Sequence, residues 1–416
     1  MFLLGFFGLP LAAQTAKRIW VLRGPDEIVE YDALTFAAKQ TIKVPPQVFK
    51  NPEGFAVNSQ GQMLFVPGTS GDEQVALQNP GTMKVWFRDG QTAAFLDRGA
   101  TRTTTRAGPN LSVVEVTPQC FLSADGQHLF WFVNEYSKLE HGEGLEDSVS
   151  TTFRAWQTDL SGRQPTPIAS FSFPPCKCET GVCSETCPEA QFWVPSEGVK
   201  DFFIVTHWIQ GQVSTTYESS FLYRKSGEKW SASKLPQALE QVLDAAQSGA
   251  LLIHALPDGG CCGWDNESSD QTILTRNGKS TVFFDEFKRY ANPNYDVSFF
   301  TSSASLSPSS AFVAVTISST AQPGNDIRLS DSGKPDAQEL ARIRQTLKEL
   351  PAVEVLRLED PPKRAALFPH ATLAGWLNEK EILVVEEQVL VARDVASGAS
   401  RKSQIKAPKD SYVYVR

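Results

Sequence analysis

The feature that most constrains the fold is a turn pattern that recurs along the chain between two apolar segments. In its best copy, the apolar residues 120–122 and 129–133 flank a turn that contains Asp125 and Gly126. Asp-Gly between apolar runs is a strong β-hairpin signal, because glycine tolerates the positive φ angle that such turns require. Three more segments follow the pattern with other turn residues, at 54–66, 304–315 and 375–385. The chain therefore repeats a strand–turn–strand unit at irregular intervals.

Each unit continues into two further predicted strands, and several units end in a polar turn. Two such turns lie at 156–162 and 392–398. The units span 18–45, 52–97, 118–173, 191–235, 250–287, 297–359 and 372–407. Units of this size predict an all-β fold, a β-propeller of about seven four-stranded blades that bury one another's faces. A large β-sandwich or a two-domain all-β protein is the alternative.

The last residues of the chain also alternate in the manner of a strand. Residues 412–415 read Tyr-Val-Tyr-Val, a period of two that is typical of a half-buried strand. We expect the segment 411–416 to complete the first blade beside residues 19–22. This pairing would close the ring and make residues 17–416 a single propeller domain.

These repeats resemble the WD40-like (PD40) repeat of TolB-type β-propellers, whose core reads Ser-Pro-Asp-Gly before an apolar strand. The resemblance covers the chain from about Arg18 onward, and four units carry the turn recognisably. Most copies lack the proline, and only the unit around Ser123 keeps Asp-Gly. The resemblance implies the propeller architecture and little about activity, because propellers host many unrelated functions.

Two segments depart from the strand pattern. Residues 235–246 place apolar residues at helical spacing ahead of Gly249. Residues 336–348 do the same between Pro335 and Pro351. Both patterns predict helices, which we expect to be small insertions on the blades.

The charge balance excludes one class of partner. The chain has 39 Lys and Arg against 47 Asp and Glu, a net charge of −8. A protein that binds nucleic acid without sequence preference needs a basic surface. We therefore expect no nucleic-acid partner, and a partner protein, a cell-envelope polymer or a small ligand instead.

The beginning of the chain predicts export. Residues 1–13 form an uncharged apolar run that is followed by Gln14, Thr15, Ala16 and Lys17. The run is shorter than the roughly 20 residues that span a bilayer. It matches the apolar core of a signal peptide with cleavage after Ala13, although no Lys or Arg precedes it. We expect residues 1–16 to be a signal peptide and the mature protein to be periplasmic or extracellular, without a transmembrane segment. A buried first strand is the alternative.

Long insertions are predicted between the second and third strands of four units, at 67–82, 134–150, 257–270 and 318–352. In a propeller these connections share one face, and long loops on a rigid scaffold often carry binding function. The sequence therefore predicts a loop-decorated binding face.

Two of these insertions are acidic. The candidate partner-binding residues of the first are Glu135, Glu140, His141, Glu143, Glu146 and Asp147. The other acidic insertion contains four candidate cation ligands, Asp265, Asn266, Glu267 and Asp270. Glu53 is the fifth candidate. Carboxylate and amide oxygens are the ligands that Ca²⁺ takes in proteins. A solvated surface, or a patch that faces a basic partner, is the alternative for both.

Six of the seven cysteines form two groups. They are Cys176, Cys178, Cys183 and Cys187, with Cys261 and Cys262 further along the chain. In an exported protein such clusters predict disulfides, whose connectivity the sequence leaves open. A zinc site in the first group is the alternative, although a Cys-x-Cys pair fits zinc geometry poorly. Cys120 begins an apolar strand and is expected to be a buried, inert thiol.

We predict no catalytic residue. The chain has no Gly-x-Ser-x-Gly, His-Glu-x-x-His or P-loop pattern. Three histidines lie in or beside apolar strands and are expected to be hydrogen-bonded core residues: His128, His207 and His254.

One segment, residues 51–55, resembles the Glu-Gly-Pro motif of calcium-dependent propeller lactonases. The resemblance implies that Glu53, with Asp265 and Asn266, would hold Ca²⁺ and polarise an ester carbonyl. The sequence thus favours a non-enzymatic binding propeller, with a calcium-dependent propeller hydrolase as the alternative.

Overall fold

Within the described residues, the strands of the computed structural model form seven antiparallel sheets, six with four strands and the third with six. The described residues are 17–23, 26–45, 55–65, 85–90, 92–96, 103–107, 110–140, 147–173, 176–178, 188–195, 198–210, 215–235, 239, 241–245, 251–255, 271–276, 279–285, 294–297, 299–321, 326–408 and 412–416.

The first three sheets occupy the first part of the chain. The first contains β1 (Arg18–Arg23), β2 (Glu27–Asp32) and β3 (Ala38–Lys43). The second contains β4 (Phe55–Val57), β5 (Met63–Phe65), β6 (Val85–Asp89) and β7 (Thr92–Leu96). The third contains β8 (Thr103–Ala107), β9 (Asn110–Leu122), β10 (Leu129–Glu140), β11 (Asp147–Thr158), β12 (Thr166–Ser172) and β13 (Cys176–Cys178).

The fourth and fifth sheets each consist of four consecutive strands in sequence order. The fourth contains β14 (Glu189–Trp193), β15 (Phe202–Gln210), β16 (Thr215–Ser226) and β17 (Lys229–Lys234). The fifth contains β18 (Gln241–Ala245), β19 (Leu251–Ala255), β20 (Gln271–Arg276) and β21 (Lys279–Asp285).

The last two sheets and a helix complete the fold. The sixth sheet contains β22 (Phe299–Leu306), β23 (Phe312–Ser319), β24 (Ala352–Arg357) and β25 (Lys363–Pro369). The seventh contains β26 (Ala371–Trp376), β27 (Glu381–Glu386), β28 (Val389–Asp394) and β29 (Ser400–Lys406). The helix α1 (Ala337–Glu349) lies between β23 and β24, and the strand β30 (Tyr412–Val415) comes last.

Apolar clusters join the sheets in a circle. Each consecutive pair of sheets shares a cluster of buried side chains. One more cluster packs Leu383 and Leu390 of the seventh sheet against Ile19 and Val21 of the first. Because burial of neighbouring faces is what holds blades together, this order is that of a seven-bladed β-propeller, and the predicted fold class is confirmed.

The inner strand of each blade lies nearest the axis. β18 contacts β22, β22 contacts β26, and β26 contacts β30. In the first blade the order is β3-β2-β1-β30, so the inner position belongs to the last strand of the chain. β30 pairs antiparallel with β1, with Ile19 opposite Val415 and Leu22 opposite Tyr412.

The recurring serine or asparagine has a clear local role. It follows the inner strand and accepts hydrogen bonds from backbone N–H groups of the turn. Asn58 Oδ1 accepts from Gln62 N at 3.0 Å, and Ser123 Oγ accepts from His128 N at 2.9 Å. Ser307 and Asn378 do the same in the sixth and seventh blades. A short polar side chain at this position fixes the turn, which is why the pattern is visible in the sequence.

One of the two helix predictions is confirmed and the other is wrong. Asp336 caps α1 by accepting from the backbone N–H groups of Gln338 and Glu339. The described part of the segment 235–246 instead contains β18, the inner strand of the fifth blade. Leu239 is buried against the fourth blade, so the apolar spacing reflects packing between two blades.

The acidic insertion predicted at 134–150 is also largely strand. β10 extends to Glu140 and β11 begins at Asp147, and both remain paired over this extension. β9 has 13 residues against 12 in β10, and its residue Leu111 lies opposite Glu140. The extended pairing with β9 gives the backbone groups partners that a loop would lack. Glu135 and Glu140 therefore lie on a strand.

No helix within the described residues is long and apolar enough to cross a membrane.

Candidate functional site

The inner strands of four consecutive blades surround a cavity of about 340 Å³ on the axis. Its wall is formed by residues of β18, β22, β26 and β30, together with Lys17. Most of these residues are the last ones of their strands or follow them directly. The cavity therefore lies at the end of the axis where the first-to-second-strand turns are, and not at the end where the long insertions were predicted.

Asp244 of β18 is a partly buried carboxylate in this wall. Its Oδ2 accepts from Leu306 N at 2.7 Å and from Ser305 Oγ at 3.1 Å, both in β22. Its Oδ1 accepts from Ala245 N at 2.8 Å. The register shifts between Val242 and Asp244, and such a bulge re-aims the side chains that follow it. Asp244 thereby joins the fifth and sixth blades.

Burial dominates the electrostatics of this carboxyl group. It raises the pKa of Asp244 above its usual value, because desolvation penalises the charged form. The hydrogen bonds from Leu306, Ala245 and Ser305, and the positive charge of Arg416, act in the opposite direction. Asp244 is thus a carboxylate whose charge is only partly compensated.

Two basic side chains line the cavity from the first blade. Lys17 precedes β1, and its Nζ donates to Trp376 O at 3.0 Å. Arg416 follows β30, and its Nε donates to Val57 O at 3.1 Å while its Nη1 donates to Val415 O at 2.9 Å. The fifth and first blades are three steps apart in a ring of seven. The carboxylate and the two cations therefore come from blades that are not neighbours.

Apolar groups fill the wall between these charges. Trp376 is buried, and its Nε1 donates to Ser305 O at 3.0 Å across the interface of the sixth and seventh blades. Leu243, Leu373 and Val415 also line the cavity. Gly375 adopts φ +144°, and a Cβ there would lie 3.2 Å from the side chain of Val415. Glycine therefore lets the inner strands of the seventh and first blades approach closely.

The end of the axis that holds the cavity is cross-linked. Hydrogen bonds join the turns of neighbouring blades from Gln62 Nε2 to Gly126 O at 2.9 Å, from Ala124 N to Val199 O at 2.9 Å, and from Ser309 Oγ to Glu379 Oε2 at 2.7 Å. The contacts of Lys17, Asp244 and Arg416 bridge three further interfaces. A frame held in this way keeps the cavity preformed, which lowers the entropic cost of binding.

The predicted cysteine and metal sites fall largely outside the described residues. This applies to Cys183, Cys187, Cys261 and Cys262, and to Glu53, Asp265, Asn266, Glu267 and Asp270. Cys176 and Cys178 begin and end β13, which pairs with β11 so that Cys178 lies opposite Asp147. Within the described part of the chain, no group of three or more His, Cys, Asp or Glu side chains could hold a metal ion.

Two other predictions concern the partner-binding candidates and Cys120. Glu135, a candidate partner-binding residue, forms an ion pair with Arg154 at 3.4 Å. Of the remaining candidates, His141, Glu143 and Glu146 lie outside the described residues. Cys120 is buried in the apolar cluster between the second and third blades, as expected for an inert core thiol.

The expectation of a hydrogen-bonded core histidine fails at His207. The side chain is only 6% exposed, but its Nε2 has no hydrogen-bond partner. Aromatic rings surround it instead, with centroids between 4.7 and 6.4 Å away, from Phe153, Phe171, Phe173 and Phe221. The imidazole thus has a buried nitrogen without a partner at the interface of the third and fourth blades.

The sequence matches no protein-family model and no curated protein. Solved structures do match. The apo form of AztD from Citrobacter koseri is 10% identical over 97% of this chain and 98% of its own length, with a TM-score of 0.43. The Pyrococcus horikoshii acylaminoacyl peptidase is 12% identical over 91% of this chain, with a TM-score of 0.44.

A third structure, the Porphyromonas gingivalis dipeptidyl peptidase 4, is 9% identical over 93% of this chain, with a TM-score of 0.40. The matches span 48% of the acylaminoacyl peptidase and 58% of the dipeptidyl peptidase. Similarities this distant carry no information on function, which has to be inferred from the residues of this chain.

Proposed function

We propose that this protein is an exported, non-enzymatic binding propeller that holds a small polar ligand in its axial cavity. The axial cavity itself carries the proposal. Its volume of about 340 Å³ falls within the range of small-molecule sites, roughly 300–1,000 Å³. Its wall combines apolar surface with a few charged groups, which is the usual composition of such sites.

The chemistry of the wall favours binding over metal-dependent hydrolysis. A calcium site takes about six to eight oxygen ligands. Of the described residues that line the cavity, Asp244 is the one carboxylate. Its two oxygens already accept three hydrogen bonds from the protein. The second function, a hydrolase built on Glu53, Asp265 and Asn266, has no support among the described residues.

A ligand screen tests the binding function directly. We expect at least one class among amino acids, organic acids, amines, nucleosides and sugars to raise the melting temperature. A ligand at about 100 times its Kd stabilises the native state by about 2.7 kcal/mol. Ala374→Leu, which places a larger side chain in the cavity wall, should abolish the shift. Ala232→Leu, on the exposed surface of β17, should preserve it. A screen without any stabilising compound would refute the proposed function.

Export is supported by the apolar residues 1–13 and by the cysteine clusters. Alkylation of denatured, unreduced protein followed by intact mass measurement tests it. We expect a single alkylated thiol, Cys120, with the other six cysteines in three bridges. Alkylation of five or more thiols would contradict export, since such a chain matures in a reducing compartment.

A further inference from the structure

We propose that the interface between the first and second blades binds one small inorganic anion of the size of chloride, held by the guanidinium group of Arg88. This site is separate from the axial cavity, which Arg88 does not line. Anion binding there is therefore independent of any ligand in the cavity. The observation behind it is a buried positive charge without an acceptor among the described residues.

Arg88 lies near the end of β6 and faces the first blade. In the antiparallel pair of β5 and β6, Arg88 is opposite Met63 and Trp86 is opposite Phe65. Directly opposite residues share one face of a sheet, and so do residues two apart on a strand. All three of these neighbours belong to the apolar cluster between the first and second blades. The Arg88 side chain is therefore directed into the interface of these two blades.

The guanidinium group of Arg88 is buried and unpaired. The residue is only 7% exposed. In the described part of the chain, no acceptor lies within hydrogen-bond distance of its N–H donors and no carboxylate lies within ion-pair distance. A buried charge is costly unless it is paired, and a buried polar group without a partner indicates an ordered water or ion. Arg88 therefore needs an acceptor that the described residues do not supply.

A buried carboxylate on the facing side of the first blade already has partners. Glu30 of β2 lies opposite Trp20 and is 3% exposed. One of its oxygens is 3.3 Å from Arg18 Nη1, and the other accepts a hydrogen bond from Gln40 Nε2. The charge of Glu30 raises the pKa of Arg88, but desolvation has the larger effect and lowers that pKa. Glu30 thus balances the charge of Arg88 only in part.

The same interface contains a second donor without an acceptor. Trp20 is fully buried, and its Nε1 has no hydrogen-bond partner in the described part of the chain. Two unpaired donors, one of them charged, favour an anion over a water molecule, because hydrogen bonds between charged groups are about twice as strong as neutral ones. Met63, opposite Arg88, is also fully buried. Such close packing favours an ion of a few atoms at most over an organic anion.

Urea denaturation at constant ionic strength, with chloride replacing gluconate, tests this inference. We expect the free energy of unfolding to rise with the logarithm of the chloride concentration, with the slope of one bound ion, because unfolding destroys the site. Arg88→Met should abolish this dependence. Without chloride the variant should be at least as stable as the wild type, since an apolar side chain replaces an unpaired buried charge. The matched control Arg344→Met, at an exposed position of α1, should keep the chloride dependence.

Crystals of the wild type grown with bromide locate the ion directly. We expect an anomalous scattering peak at hydrogen-bond distance from the Arg88 guanidinium group. Absence of bromide from this position, as a bound water molecule would give, overturns the proposal, and so does an equal chloride dependence of the wild type and Arg88→Met. The bromide measurement uses the unmodified protein, so it decides the question even if the variant does not fold. Neither experiment requires a ligand in the axial cavity, so their failure leaves the proposed function untouched.

Discussion

Replacement of Gly198 by alanine should destabilise the propeller by about 4 kcal/mol. Gly198 has φ +102°, and a Cβ added there would lie 2.5 Å from Leu122 O and 3.0 Å from Ala124 N. A non-glycine residue in such a conformation costs about 1–3 kcal/mol, and the overlap with backbone atoms adds to it. Val199 N donates to Leu122 O, and Ala124 N donates to Val199 O. The overlap would therefore disrupt the link between the third and fourth blades.

Gly227 provides the matched control for this substitution. It also has a positive φ, +60°, but a Cβ there would meet no atom within 4 Å. Gly227→Ala should cost only about 1 kcal/mol, the conformational term alone. Urea denaturation of the three proteins measures both losses. Equal losses in the two variants would show that the approach of Gly198 to the third blade has no energetic importance.

The free energy of unfolding should fall as the pH is lowered from about 6.5 to about 4, in part because of His207. Desolvation among the phenylalanine rings lowers the pKa of His207 to about 4, and the positive charge of Lys234 acts in the same direction. In the unfolded chain the imidazole returns to its ordinary pKa of about 6.5. Between these values the unfolded state binds the extra proton, so acid favours unfolding.

The contribution of His207 is therefore fully present above pH 6.5 and is lost as the pH approaches 4. We expect a loss on the order of 2 kcal/mol. His207→Phe keeps a ring in the aromatic cluster and removes the titrating group. The stability of this variant relative to the wild type should rise by that amount between pH 7 and pH 4.

The control for this prediction is His370→Asn. His370 is exposed and has φ +55°, a conformation that asparagine tolerates. This variant should follow the pH dependence of the wild type. If His207→Phe also follows it, the protonation of His207 does not contribute to the acid sensitivity of the fold. Chemical denaturation at a series of pH values provides all three curves.

The architecture was predictable because its signals are local. Ser123, Asp125 and Gly126 lie within one turn, and the polar side chain and the glycine do there what the pattern indicates. The segment 235–246 was wrongly predicted to be a helix, because its apolar spacing fits a helix as well as it fits a buried strand. The described residue Leu239 and the strand β18 are fixed by contacts with other blades, and such tertiary contacts override local spacing.

The cavity could not be predicted in the same way. Asp244 and Trp376 belong to β18 and β26, whereas Lys17 precedes β1 and Arg416 follows β30, so all four lie far apart in sequence. No spacing rule connects them, because the ring brings them together. The sequence instead points to clusters of acidic residues and cysteines, most of which lie outside the described residues.

The pairing of β30 with β1 has a consequence for biosynthesis. β1 is synthesised about 390 residues before its partner β30. At about 5–20 residues per second, the two are separated by tens of seconds. During that time the apolar edge formed by Ile19–Leu22 lacks its neighbour, and an open edge of this kind invites pairing with other chains. The first blade therefore stays incomplete until β30 is made, and the nascent chain needs protection until then.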